Sequence, residues 1–128
     1  MNESRFAQWA AAEAAQGIQQ PPIDRQSVWL QPGRSPAFAL RVCGNSMIPT
    51  FYNGELVFVE PQQTFKDGQI AIVEIDGGRT MKRVYRVPGG LRLVPDNREY
   101  ESVTIAADEV RIVGIAVARG TSNQTNIE

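Results

Sequence analysis

Alternation of apolar and polar residues is the main pattern in the part of the chain that follows residue 36. Over residues 37–43, Phe38, Leu40 and Val42 alternate with small or charged neighbours, which is the two-residue period of a half-buried strand. Further apolar runs predict strands over residues 56–59, 70–75, 80–87, 91–94 and 110–118. Asp76-Gly77-Gly78 separates two of these runs and is typical of a tight hairpin turn. The pattern therefore predicts a mainly β domain.

The first 36 residues follow a different pattern. Residues 5–16 are rich in alanine, the best helix former, and Gly17 stands where such a helix can end. From Ile18 to Pro36 the sequence is polar and interrupted by prolines, which is typical of a linker. We therefore predict three parts along the chain. They are a flexible N-terminal arm with a possible short helix (1–36), a compact domain (37–120) and a disordered tail (121–128).

The overall composition limits the size of the fold and its partners. A chain of 128 residues, 42% of them hydrophobic, is sufficient for one compact domain. Thirteen basic and 14 acidic residues give a net charge of −1. The domain as a whole therefore has no electrostatic attraction to phosphate, and we do not expect this segment alone to bind DNA.

Cysteine and histidine usage excludes several kinds of site. The single cysteine, Cys43, excludes an internal disulfide and fits a reducing compartment such as the cytoplasm. The sequence has no histidine, so it contains neither a Ser–His or Cys–His catalytic pair nor a histidine metal site. It also lacks a signal peptide and any run of about 18 apolar residues that could span a membrane.

A serine and a lysine are the candidates for catalysis. A serine hydroxyl is a poor nucleophile unless a neighbour removes its proton, and a lysine can do this only when uncharged, which requires apolar surroundings. By strand alternation Lys82 shares a face with Val84, and Thr80 and Arg86 also lie on that face. Gly44 permits a tight turn before Ser46, so the backbone N–H groups of Asn45 and Ser46 can stabilise an oxyanion.

Spacing alone leaves ordinary structural interpretations of both residues open. A serine in a Gly-x-Ser sequence, as at Ser46, is more often a turn residue than a nucleophile. A single lysine in a strand, as at Lys82, is more often a solvated charge at a sheet edge. A wider set of motifs is needed to decide between these interpretations.

Five motifs occur in order along the chain. They are Val42-x-Gly44-x-Ser46-Met47, Gly54-Glu55-Leu56-Val57, Asp67-Gly68-x-Ile70, Met81-Lys82-Arg83-Val84 and Leu93-x-Pro95-x-Asn97-x-x-Tyr100. Through them the region from about Phe38 to Ala118 resembles the LexA family of self-cleaving peptidases, which includes lambda-type phage repressors and UmuD. The resemblance implies a twisted, partly open β-barrel-like fold and a catalytic dyad of Ser46 and Lys82. It also implies a homodimer, cleavage of a bond in the domain's own arm, and no metal or cofactor.

Type I signal peptidases are an alternative family for the same residues. They also use a Ser–Lys dyad, and Ser46-Met47-x-Pro49-Thr50 together with Lys82-Arg83-Val84 fits their motifs. Those enzymes, however, are anchored by transmembrane helices, for which this sequence has no candidate. Their later aspartate-rich and serine-rich signature is also absent, and Pro95-x-Asn97-x-x-Tyr100 occupies that region in the LexA manner.

The bond that the domain would cut is predicted from the position of a glycine. The LexA family cuts before a glycine that follows a small residue, and Gly17 is the only glycine before Gly33. The candidate bond is therefore Gln16–Gly17, although Gln16 is not small and lies 30 residues before Ser46, closer than is usual in the family. The alternative is that Gly17 ends a helix. The two interpretations exclude each other in one conformation, because a scissile bond must be extended.

The resemblance leads to two functional hypotheses and a third alternative. The first is the C-terminal regulatory domain of a LexA-like or prophage repressor, which dimerises and cleaves itself when RecA filaments act as co-protease. Such a protein would bind DNA only through a DNA-binding domain that this chain does not contain. The second is a UmuD-like protein that self-cleaves and then joins a translesion polymerase. A peptidase fold kept only for dimerisation is the third, against which the presence of both Ser46 and Lys82 argues.

Overall fold

The computed structural model describes residues 18–19, 29–30 and 33–120, and at the first two pairs it describes only the backbone. The described residues form nine strands and one short 3-10 helix at Ala107–Glu109. The strands are β1 (Ile18–Gln19), β2 (Trp29–Leu30), β3 (Phe38–Val42), β4 (Leu56–Pro61), β5 (Ile70–Ile75), β6 (Gly78–Val87), β7 (Gly90–Val94), β8 (Val103–Ala106) and β9 (Arg111–Gly120). The prediction of a mainly β fold is confirmed.

All the strand pairs are antiparallel and belong to one sheet, in the order β1-β3-β4-β9-β5-β6-β7-β8, with β2 also paired to β9. The long strand β9 pairs with both β4 and β5 and so joins the two halves of the sheet. The register shifts at Phe58/Val59 and at Ile72/Val73, both opposite β9. Such irregularities bend strands, and the sheet curls into a half-barrel. This agrees with the predicted partly open barrel.

Gly114 permits the close approach of β4 and β9 near these irregularities. A Cβ atom at this position would lie 2.6 Å from the Val59 side chain and 2.7 Å from the carbonyl oxygen of Glu60. Both distances are shorter than a normal contact, so any larger residue would push β4 away from β9. The close approach of β4 and β9 therefore requires a glycine at residue 114.

The β5–β6 hairpin fixes the position of Lys82. Asp76 and Gly77 form its two-residue turn with φ angles of 52° and 80°. Positive φ at both central residues matches the twist of the flanking strands and favours an Asp-Gly sequence. With Ile75 opposite Gly78, the register places Ala71 opposite Lys82. The lysine therefore lies in the interior of a strand that is paired with β5 on one side and β7 on the other.

Both faces of the curled sheet carry buried apolar side chains. One cluster includes Val73, Val84, Leu93 and Ile105, and a second includes Leu40, Met47, Val57, Ile72 and Met81. Along β5 and β6 neighbouring residues alternate between the two clusters, as the two-residue period of a strand requires. Thr80 and Lys82 share the face of Val84 and are the two buried polar residues among those that the structure describes.

Several elements differ from the sequence prediction. Strand β8 was not predicted, and β1 and β2 lie inside the segment predicted to be a linker. The predicted helix over residues 5–16 and the tail over 121–128 lie outside the described residues. Within the described part of the chain, no helix has the length and apolar character needed to cross a membrane.

Candidate active site

Ser46 lies at the start of a tight turn that follows β3. Gly44 precedes it with a φ of 103°, a backbone conformation that a residue with a side chain rarely adopts. The Gly44 N–H donates to Asn53 Oδ1 at 2.8 Å. After the serine, the N–H groups of Thr50 and Phe51 both donate to the Met47 carbonyl at 2.8 and 2.9 Å. The serine is therefore held in a closed turn, as the sequence predicted from Gly44.

The turn is anchored in the core by the residue next to the serine. Met47 is 2% exposed and Phe51 is 5% exposed, and both belong to the cluster that contains Met81. Ser46 itself is only partly buried. The backbone of the turn is thus packed against the sheet, while the serine remains partly accessible.

Lys82 is fully buried and lies beside the serine. Its relative exposure is 0%, and its Nζ atom lies 3.2 Å from Ser46 Oγ. Nζ also lies 2.9 Å from Thr80 Oγ1 and 3.1 Å from the Met81 carbonyl oxygen. The two residues that the sequence singled out, 36 positions apart, are therefore in hydrogen-bond contact in the folded chain.

These contacts allow Lys82 two protonation states. An ammonium group has three N–H bonds and can donate to Ser46, Thr80 and the Met81 carbonyl. A neutral amine has two N–H bonds and one lone pair, so it can donate to two of these groups and accept a proton from the third. Burial favours the neutral form because desolvation lowers the pKa of a lysine. The Ser46 and Thr80 hydroxyls can each donate a proton to the amine, and Ser46 is the partly accessible one of the two.

The backbone around Ser46 also provides donors for a developing negative charge. Within residues 33–120, the N–H groups of Asn45 and Ser46 donate to no acceptor. Their carbonyl groups, in contrast, are bonded to Asn97, whose N–H donates to the Ser46 oxygen at 3.0 Å and whose Nδ2 donates to the Asn45 oxygen at 2.9 Å. Asn97 therefore binds the carbonyl oxygens of Asn45 and Ser46 and does not occupy the N–H groups of these two residues.

Asp96 joins the serine turn to the strand that carries Lys82. Its two carboxylate oxygens accept from Arg83 Nε at 2.7 Å and Arg83 Nη2 at 3.2 Å. The Thr50 hydroxyl donates to one of the same oxygens, and Arg119 Nη1 donates to the Thr50 carbonyl at 2.9 Å. Asp96 was not identified from the sequence, because the motif leaves the residue between Pro95 and Asn97 unspecified. Thr80 was noted only as a neighbour of Lys82 on its face.

The predicted cleavage residues Gln16 and Gly17 lie outside the described residues. The strand that directly follows them is described: Ile18 pairs with Val42 and Gln19 pairs with Arg41. Strand β1 also approaches β6, which carries Lys82. The chain that follows Gly17 thus runs antiparallel to the strand that leads into the serine turn.

Comparison with known proteins gives a consistent set of relatives. The family model described as Peptidase S24-like matches residues 4–117. A LexA repressor from Magnetococcus marinus is 36% identical over 98 residues, which cover 74% of this chain and 42% of that protein. LexA repressors from Citrifermentans bemidjiense and Thermosipho melanesiensis are 40% and 37% identical over 63% and 60% of this chain, and 42% and 39% of their own lengths. The chain therefore spans about two fifths of each of these relatives.

Proposed function

Because the chain belongs to the Peptidase S24-like family, we propose that it is the self-cleaving regulatory domain of a LexA-like transcriptional repressor. Ser46 is the nucleophile and Lys82 is the general base. The observation that carries the proposal is the 3.2 Å separation of Ser46 Oγ from Lys82 Nζ, with the lysine at 0% exposure. A solvated lysine at a sheet edge, the ordinary structural alternative, would not be buried against a serine hydroxyl.

The proton follows a short path in this mechanism. Neutral Lys82 donates its two N–H bonds to Thr80 Oγ1 and the Met81 carbonyl, so that its lone pair faces the Ser46 hydroxyl. As Ser46 Oγ attacks the carbonyl carbon of the scissile bond, Lys82 takes the hydroxyl proton and later gives it to the leaving amine. The acyl group then remains on Ser46 until a water molecule, deprotonated by Lys82 in the same way, releases it.

The tetrahedral intermediate carries its negative charge on the former carbonyl oxygen. We assign its stabilisation to the backbone N–H groups of Asn45 and Ser46, which need no rearrangement to donate to it. The contact from Asn97 Nδ2 to the Asn45 carbonyl supports this assignment for Ser46, because the Asn45 carbonyl and the Ser46 N–H belong to the same peptide group.

We assign residues 1–36 to an arm that supplies the substrate, 37–120 to the peptidase domain and 121–128 to a tail. The scissile bond is Gln16–Gly17. In the cleavage complex, one further step along the register of β1 and β3 would bring Gly17 opposite Cys43, close to the serine turn. The extended conformation of the next two residues, Ile18 and Gln19, favours the scissile interpretation of Gly17 over a helix end. A glycine also leaves room for the bond to approach Ser46.

The names of the relatives favour a repressor over a UmuD-like protein. All three are LexA repressors, and the matched region makes up about two fifths of each. We propose that the whole protein binds DNA through a separate domain. The peptidase domain over residues 37–120 holds two copies together as a homodimer. RecA filaments would act as the co-protease that promotes cleavage and so releases the dimer from DNA.

Intact-mass spectrometry of the purified chain after incubation at alkaline pH tests the activity. Two fragments are expected, the larger beginning at Gly17, whereas Ser46→Ala and Lys82→Ala are expected to remain intact. Cleavage of either variant at close to the wild-type rate would overturn the dyad.

The choice of bond is tested separately by N-terminal sequencing and by Gly17→Trp. The bulky side chain is expected to block cleavage at that bond. A different new N-terminus, or normal cleavage of Gly17→Trp, would move the cleavage site without affecting the dyad.

A further inference from the structure

Asp96 lies at the junction between the two parts of the candidate dyad. It is two residues beyond the end of β7, and its side chain is 13% exposed. One carboxylate carries three hydrogen bonds, two from the Arg83 guanidinium and one from the Thr50 hydroxyl. These donors take the place of water around a carboxylate that is mostly shielded from solvent. The cluster is therefore a fixed contact and not a transient surface pair.

The two partners of Asp96 belong to different parts of the site. Thr50 closes the turn that begins at the residue after the nucleophile, since its N–H donates to the Met47 carbonyl. Arg83 directly follows Lys82, and its backbone is paired with Ile70 of β5 on one side and Val94 of β7 on the other. One partner can therefore move with the serine, whereas the other is fixed in the sheet with the lysine.

We propose that Asp96 is a positioning residue that sets the distance between Ser46 Oγ and Lys82 Nζ by tying the serine turn to β6. The inference rests on the proposed function. Asp96 touches neither reacting group and acts through Thr50 and Arg83. Only a carboxylate satisfies both partners, because an amide has one acceptor oxygen and would place an N–H group against a donor. A misplacement of about 1 Å in a reacting group can reduce a rate on the order of 100-fold.

Labelling of Ser46 by an alkyl fluorophosphonate measures the dyad without involving the arm. In this reaction Ser46 Oγ forms a bond to phosphorus, fluoride leaves, and Lys82 takes the hydroxyl proton. We expect Asp96→Asn and Thr50→Val each to slow labelling by roughly 10- to 100-fold. Thr50→Ser, which keeps the hydroxyl, should stay within about threefold of the wild-type rate. Self-cleavage should follow the same order.

A matched control and two further readouts separate positioning from general damage to the fold. Glu74→Gln removes the carboxylate charge of the Glu74–Arg111 ion pair, which lies away from the dyad, and should leave the labelling rate unchanged. In Asp96→Asn the plateau of the pH–rate profile should fall with little change in its midpoint, because Lys82 keeps its burial and its contacts with Thr80 and the Met81 carbonyl. The double variant Asp96→Asn/Thr50→Val should be no slower than the slower single variant, since both remove the same link.

Each outcome decides between the two proposals. Wild-type labelling rates in both Asp96→Asn and Thr50→Val would overturn the positioning role and leave the dyad standing. No labelling of Ser46 in the wild-type chain would overturn the proposed function and this inference together. If Asp96→Asn does not fold, Thr50→Val decides alone, because it removes a single hydroxyl from the edge of the cluster.

Discussion

The protonation state of Lys82 can be measured through the stability of the fold. The pair to compare is Ser46→Ala and Ser46→Ala/Lys82→Met, neither of which can cleave itself during the measurement. Methionine is a flexible apolar residue of similar length. It fills the space of the lysine without an amine that loses its hydration on burial. We expect the methionine variant to have the higher free energy of unfolding near neutral pH.

The magnitude follows from the burial of the amine. Because Lys82 is 0% exposed, we expect desolvation to hold its pKa in the folded chain below the ordinary value that it keeps in the unfolded chain. Between these two pKa values the unfolded state binds one more proton than the folded state. Stability therefore rises with pH by about 1.4 kcal/mol per pH unit in this window. Lys82 contributes no slope below the folded pKa or above the unfolded one, and the methionine variant lacks the slope throughout.

Urea denaturation at about pH 7 and at about pH 9.5 provides the assay, because the slope is expected to lie within this interval. The stability advantage of the methionine variant should shrink as the pH rises. Lys66 is exposed, so Ser46→Ala/Lys66→Met serves as the matched control and should follow Ser46→Ala at both pH values. If the difference in the free energy of unfolding between Ser46→Ala and Ser46→Ala/Lys82→Met is the same at both pH values, the claim that the buried amine is neutral is refuted.

Three further predictions concern the site, the sheet and the assembly. Thr80→Val removes an acceptor 2.9 Å from Lys82 Nζ and should slow self-cleavage by about fivefold, as expected for the loss of roughly 1 kcal/mol. Thr80→Ser keeps the hydroxyl and should cleave at the wild-type rate. Equal rates for the two variants would exclude a role for the hydroxyl. Gly114→Ala should lower the free energy of unfolding by about 1–3 kcal/mol, because its Cβ would meet Val59 at 2.6 Å; an unchanged urea midpoint would contradict this. The chain should sediment as a dimer, and a monomer mass independent of concentration would contradict the proposed homodimer.

The sequence predicted the strands whose hydrophobic pattern is local and regular. The Asp76-Gly77 turn and the runs on either side of it identified the β5–β6 hairpin, because turn chemistry and side-chain alternation both reside in adjacent residues. Strand β8 was missed, although Val103 and Ile105 alternate with exposed residues. Its four residues are too few for the period to stand out from the surrounding polar sequence.

Strands β1 and β2 were missed for a different reason. Each has two residues within a polar and proline-rich segment. Their extended conformation comes from pairing with β3 and β9, which are distant in sequence. The conformational propensity of a short segment does not predict its pairing with distant strands.

The residues of the candidate site that belong to a sequence motif could be predicted. Those whose role depends on contacts between distant parts of the chain could not. Ser46 and Lys82 were identified from ordered motifs, and the structure brings them together. Asp96 was not, because its partner Thr50 lies 46 positions away and the motif leaves its position open. Asn97 was noted only as part of a family motif, and its contacts with the serine turn required the fold. The predicted bond at Gln16–Gly17 stays a prediction.

In the proposed mechanism Lys82 is the base that activates Ser46. The most direct measurement is the rate of self-cleavage as a function of pH, for the wild-type chain beside Lys82→Arg. Arginine keeps the positive charge but cannot lose its proton in a protein. The wild-type rate should rise with pH as Lys82 becomes neutral and then level off, while Lys82→Arg should not cleave at any pH. A wild-type rate that does not change with pH, or cleavage by Lys82→Arg with the wild-type profile, would mean that another group is the base.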